Sequence, residues 1–161
     1  MRICLLLCFT LIALASAHSN FPINYFSSVF PFHTYEEGLK IAKETGKPIV
    51  AINQQKTNSC KRLAEDISKN QELLSIVNNF VFVTWQYNEI PPKPFNSSIV
   101  IPIIYMVSSD GYPFEDIINE SSRFNHVYVH SDDLLESMKE LLKRQDNINE
   151  FKKSPMYQAS L

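Results

Sequence analysis

Hydrophobic positions follow two different periods along this chain. Tyr35, Leu39 and Ala42, with Ile41 beside them, recur at helical spacing and predict a short helix. Thr34-Tyr35-Glu36-Glu37 reads as its capping box and Gly46 as its stop, while Gly38 inside it costs helix propensity that packing must offset. Pro48 to Ile52 is a continuous apolar run, the pattern of a central strand covered on both faces. A polar bend from Asn53 to Asn58 precedes a helix with Cys60, Leu63, Ala64 and Ile67 on one face. A second helical piece, Gln71 to Val77, uses Leu73, Leu74 and Val77. Phe80 to Trp85 reads as a strand, residues 87–101 as a Pro-rich loop, and Pro102 to Val107 as a third strand. The Ser109-Asp110-Gly111 turn predicts a hairpin partner at Phe114 to Ile118. Phe124 to His130 reads as extended, with His126, Tyr128 and His130 on a solvated face opposite Val127 and Val129. Ser131 is the expected N-cap of a last helix, with Asp132 and Asp133 in its first turn and Lys139, Lys143 and Arg144 towards its end. Leu134, Leu135, Met138, Leu141 and Leu142 give that helix its apolar face. The order β-α-β, then β-β-α, predicts an α/β domain whose mixed sheet carries helices on both faces.

At 161 residues and 45% hydrophobic content, the chain holds one domain with a sizeable core. Its formal charge of −2 lacks the basic footprint of a nucleic-acid binder. The three glycines lie too far apart to form a phosphate cradle, and no cofactor is implied. Arg2, the apolar run from Ile3 to Ala15 and the small-x-small pattern Ala15-Ser16-Ala17 read as a cleaved signal peptide over residues 1–17. That run is too short to span a bilayer, and no later run is longer. The plan is therefore a signal peptide (1–17), an extended lead-in laid over the domain (18–33), the domain proper (34–145) and a polar, frayed tail (146–161). Cleavage removes Cys4 and Cys8 and leaves Cys60 as the mature chain's one thiol, so no internal disulfide can form. Asn96 and Asn119 open N-glycosylation sequons. His126 and His130 lie roughly 13 Å apart along a strand, too far to share a metal ion, and no metal site is expected.

The segments Thr34-Tyr-Glu-Glu-Gly-Leu-Lys-Ile-Ala-Lys43, Gly46-Lys-Pro-Ile-Val50, Asn79-Phe-Val-Phe-Val83, Ile101-Pro-Ile-Ile-Tyr-Met106 and Tyr128-Val-His-Ser-Asp-Asp133 resemble the anterior gradient family and the small thioredoxin-like proteins of the endoplasmic reticulum. The resemblance covers about residues 30–145 and implies a thioredoxin-like fold. In that fold a C-x-x-C redox motif opens a helix. The first cysteine takes the helix N-terminus, where the dipole favours its thiolate, and the second lies one turn on. Here the matching residues are Thr57, Asn58, Ser59 and Cys60, so the attacking thiol is replaced by threonine and Cys60 holds the covered, resolving position. Pro102 matches the fold's cis-proline, and the resemblance implies that Ile101 and Pro102 line a peptide groove beside Thr57 and Cys60. The implied function is a non-catalytic, polypeptide-binding, chaperone-like or signalling factor. The alternative is a monothiol disulfide oxidoreductase or isomerase using Cys60. Expected partners are a polypeptide client or receptor, with a second copy of the chain as a further possibility. The ending Gln158-Ala-Ser-Leu161 shares only its last residue with the family's retention signal. The chain is therefore expected to be secreted, with the lumen of the endoplasmic reticulum as the alternative.

Overall fold

In the computed structural model, which describes residues 25–86, 89, 91–95 and 100–159, the described residues form four strands and five α-helices, besides 3-10 turns at Tyr25–Ser28 and Val77–Asn79. Among the described residues these are β1 (Phe32–His33), α1 (Tyr35–Thr45), β2 (Ile49–Gln54), α2 (Asn58–Ile67), α3 (Gln71–Ile76), β3 (Val81–Gln86), β4 (Ile103–Val107), α4 (Ser131–Lys153) and α5 (Pro155–Gln158). The strands form one sheet in the order β1-β3-β2-β4. β1 and β2 each pair in parallel with β3, and β4 runs antiparallel to β2. A β-α-β unit followed by an antiparallel strand and a closing helix, in this strand order, is the thioredoxin-like arrangement. The predicted signal peptide and the sequon at Asn96 lie outside the described residues.

Every residue of β2 is buried, because helices cover both faces of the sheet. Ile49 and Ala51 face α1 and pack with Ala42, Val81, Val83 and Val107. Val50 and Ile52 face the other side and join a larger core with Phe82, Met106, Leu63, Met138 and Leu141. The strand also runs further than the apolar run predicts. Asn53 and Gln54 continue it at 2% exposure each, because β3 and β4 supply backbone partners up to those positions.

Helix α1 begins and ends as the sequence predicts. The Thr34 hydroxyl accepts from the Glu37 amide (3.3 Å), the Glu37 carboxylate accepts from the Thr34 amide (3.2 Å), and Gly46 closes the helix in the left-handed region at φ 70°. Gly38 is buried, and a Cβ there would run into Cγ1 of Val83. The glycine lets α1 lie directly on β3, and this close approach offsets its propensity cost. The lead-in is less extended than predicted. Residues Tyr25–Ser28 form a 3-10 turn, and Phe26 and Phe30 are buried, with Phe30 stacked on Phe82 at 4.1 Å between centroids. The segment thus contributes two aromatic anchors to the core and ends as strand β1.

Three further expectations are corrected. Phe114 to Ile118 forms no strand. Its amide contact to β4, from Phe114 N–H to the Met106 carbonyl (2.8 Å), is followed at once by a turn in which Ile117 N–H reaches back to Phe114. Residues 124–130 are likewise turned, with Val127 N–H donating to the Phe124 carbonyl (3.0 Å). The two-residue period therefore fails there: Tyr128 is buried, its hydroxyl against Ser137 (2.9 Å), while Val129 is exposed. Helix α4 does not fray after Asp146. Gln145 is buried, exchanging hydrogen bonds with the Ser109 backbone amide and hydroxyl, Asn149 donates to the Gly46 carbonyl, and Lys152 pairs with Asp110.

The start of α4 is capped from outside. His130, not Ser131, holds the N-cap position and caps nothing with its side chain. Ser131 is the first helical residue, and its amide donates to Asp66 Oδ2 at 2.7 Å, from the end of α2. Asn70 adds hydrogen bonds to Ser131 and Asp132 while its own carbonyl oxygen caps α3. Hydrogen bonding from the Ser131 backbone, then from its side chain, lowers the Asp66 pKa.

Two outcomes follow. Gly38→Ala should lower stability by about 1–2 kcal/mol in urea titrations, because overpacking against Val83 outweighs the helix-propensity gain. Val83→Ala in the same chain should recover part of that loss. A Gly38→Ala protein more stable than the parent would show that propensity wins. Asp66→Asn should cost about 1 kcal/mol at neutral pH, the usual scale of a lost cap. The folded pKa lies below the unfolded one, so this contribution is complete above the unfolded value near 4 and disappears as pH falls through the folded value. Denaturation midpoints of parent and variant should converge in acid, and a gap independent of pH would contradict the assignment.

Candidate functional site

The end of β2 leads through Gln55 and Lys56 into α2, and the residues matched to the redox motif occupy its first turn. Thr57 is the N-cap, with extended backbone at φ −123°, and its hydroxyl accepts from the Cys60 amide at 3.3 Å. Asn58 and Ser59 are exposed. Cys60 turns inward at 0% exposure into the larger core. Lys56, Lys61 and Arg62 are exposed, and Lys61 faces Glu65 at 3.7 Å. Thr57 is therefore a cap and Cys60 a packing residue. A fully covered thiol cannot meet a disulfide in solvent without the core opening.

The peptide bond between Ile101 and Pro102 is cis. Pro102 is buried, and Ile101 is half-buried against the core that holds Cys60. Ile103 pairs with Asn53. The residues predicted for the groove and the start of α2 thus share one end of the sheet.

That same end holds polar groups the sequence reading placed in a bend. The Gln54 side-chain amide donates to the Thr84 hydroxyl (2.8 Å), which donates in turn to the Ile52 carbonyl (2.9 Å). Asn53 Oδ1, Trp85 Nε1 and Gln86 Nε2 are buried without hydrogen-bond partners. Each such group costs about 1–3 kcal/mol of desolvation.

Beside it is an aromatic cluster that sequence patterning missed, because its members come from separate elements. Trp85 stacks on Phe95 at 5.0 Å, Phe95 on Tyr105 at 4.9 Å, and Tyr105 meets His126 at 4.9 Å. Pro94, Phe95, Tyr105, Pro113, Glu115, Asn125 and His126 line an open cleft of about 330 Å³. Burial raises the Tyr105 pKa and lowers that of His126, the nearby Glu115 carboxylate opposing the latter shift.

His126 is thus half-buried against Tyr105 rather than on a solvated strand face, and His130 sits at the start of α4. Asp133 accepts from the Ser121 hydroxyl (3.1 Å). Among the described residues no cluster of ligating side chains could hold a metal ion. None of the described helices is long and apolar enough to cross a membrane.

Asn119 is corrected as a glycan acceptor. It is 4% exposed, its side-chain amide donates to the Val127 carbonyl (2.8 Å), and its side-chain oxygen accepts from the Ser121 amide (3.0 Å). The nitrogen a glycan would occupy holds the turn of residues 119–127 together. Asn119→Ala should lower stability by about 1–3 kcal/mol in urea titrations, the cost of leaving buried backbone groups unpaired. A loss below about 0.5 kcal/mol would assign the turn to other contacts.

No protein-family model matches the chain, and no curated protein matches it. Among solved structures it is similar to one described as a DsbH oxidoreductase, at 14% identity and a TM-score of 0.45, over 71% of this chain and 85% of that one.

Proposed function

We propose that this chain is a thioredoxin-fold protein of the anterior gradient kind that binds polypeptides and has no dithiol chemistry. The first turn of α2 carries the reading: Thr57 caps the helix where a thiol would attack, and Cys60 behind it has no solvent exposure. A hydroxyl cannot form a disulfide, and a buried thiol does not reach one. Burial of Cys60 favours this reading over the monothiol oxidoreductase. The half-buried Ile101 and, in the cleft, Tyr105 and the prolines supply the apolar surface a polypeptide would contact, and Asn53 and Gln86 supply unpaired amide groups nearby. The leader over residues 1–17 and the glycan at Asn96 belong to the same proposal, which places the mature chain outside the cell or in the lumen of the endoplasmic reticulum.

The parent protein should bind a permanently unfolded client, reduced and carboxymethylated lactalbumin, saturably in calorimetry, and should not accelerate insulin reduction by dithiothreitol. Cys60→Ala should leave client binding unchanged. Insulin turnover that Cys60→Ser abolishes, or no client binding, would overturn the proposal. Thr57→Cys should create the missing chemistry. A thiol at the helix N-terminus gains about 0.3–1 kcal/mol of thiolate stabilisation, and Cys60 lies one turn away. Peptide mapping of the oxidised variant should find a disulfide between the introduced thiol and Cys60.

A further inference from the structure

The cleft beside β4 has one charged group on its lining, the Glu115 carboxylate. Glu115 is exposed and, among the described residues, takes part in no ion pair or side-chain hydrogen bond. This sets it apart from its neighbour Asp116, which holds Arg144 at 2.7 Å. Burial holds the His126 pKa down, so the imidazole opposite brings no positive charge at neutral pH. Lys93, next to Pro94, is exposed and not part of the lining. The rest of the lining is mixed: Pro94, Pro113 and the Tyr105 ring offer apolar surface, Phe95 is almost covered, and Asn125 and His126 add polar groups. A mixed cleft that offers proline and tyrosine rings beside one unpaired carboxylate complements a side chain with an apolar stem and a cationic head.

The neighbouring strand edge is closed to a different mode of binding. The Ile104 amide donates to the His126 carbonyl (2.8 Å), the Met106 carbonyl accepts from the Phe114 amide (2.8 Å), and Val107 bridges to Pro113. An incoming peptide cannot add as a strand where these groups are already paired. Recognition on this flank goes through a side chain.

We propose that this cleft is the subsite for a Lys or Arg side chain of the bound polypeptide, the stem against Tyr105 and the prolines and the head on Glu115. This rests on the polypeptide-binding reading and names the class of residue the client presents.

Trp85 is the chain's one tryptophan and stacks on Phe95, so its fluorescence reports on the cleft. Titration with the blocked tripeptides acetyl-Gly-Arg-Gly-amide and acetyl-Gly-Lys-Gly-amide should give saturable changes, with dissociation constants of about a millimolar for ligands this small. The citrulline analogue, which keeps the shape and removes the charge, should bind about fivefold more weakly. Glu115→Gln should weaken the Arg peptide by a similar factor and leave the urea midpoint unchanged, since Glu115 is exposed. Equal binding of the Arg and citrulline peptides, no binding of either cationic peptide, or an unchanged constant in Glu115→Gln would overturn the subsite. Retention of lactalbumin binding alongside any of these results would leave the polypeptide-binding reading standing and remove only the cationic pocket. Loss of client binding by the parent protein would instead sink the reading beneath it.

Discussion

Burial of β2 on both faces is the constraint that the rest of the fold meets. Six consecutive residues without solvent contact need backbone partners on both edges and apolar cover above and below. β3 and β4 satisfy the edges. α1 covers one face, which it can reach because residue 38 has no side chain to collide with Val83. α2 and α4 cover the other, where Cys60, Leu63, Leu134 and Met138 meet Val50 and Ile52. The cross-links between α2, α3 and α4 through Asp66 and Asn70 then fix how the helices of that layer sit together. The candidate site lies at the last residues of β2 and the start of α2.

What could be read from the sequence was local in origin. The capping box at Thr34 and Glu37, the left-handed stop at Gly46 and the apolar faces of α1 and α2 depend on residues within a turn or two of one another. The continuous run through Ile52 marked a central strand for the same reason. Expectations failed where a distant partner decides the outcome. Asn53 and Gln54 look like a bend, yet strand pairing buries them, since β3 and β4 reach that far. Residues beyond Asp146 look like a solvated tail, yet Asn149 and Lys152 find the Gly46 carbonyl and Asp110 across the fold. Tyr128 and Val129 exchange the faces that alternation assigns them, because Asn119 ties the chain into turns just before them.

The candidate site divides along the same line. Thr57 and Cys60 were legible because a helix start and a three-residue spacing are short-range features. The aromatic cleft was not. Trp85, Phe95, Tyr105 and His126 come from β3, a Pro-rich loop, β4 and a turn, and no periodicity in the sequence links them. The unpaired Asn53, Trp85 and Gln86 atoms were equally hidden, since a polar residue's burial is unknown until the sheet is assembled.

Position 57 joins these themes, because one side chain there cannot serve two purposes equally. An N-cap must accept a hydrogen bond from an amide one turn ahead, and a hydroxyl oxygen accepts far better than sulfur. Threonine therefore makes α2 start firmly, and the Cys60 amide is satisfied within the protein. A thiol at the same place would cap weakly and leave the helix dipole free to stabilise a thiolate, which is the condition for attack on a disulfide. The side chain at position 57 thus favours a firm helix start. Among the described residues, the buried side-chain atoms that remain unpaired lie at the ends of β2 and β3, on Asn53, Trp85 and Gln86, and on His126 beside β4. With the helix start satisfied internally, the buried polar atoms still without a partner are amides, an indole and an imidazole, groups that hydrogen-bond and stack.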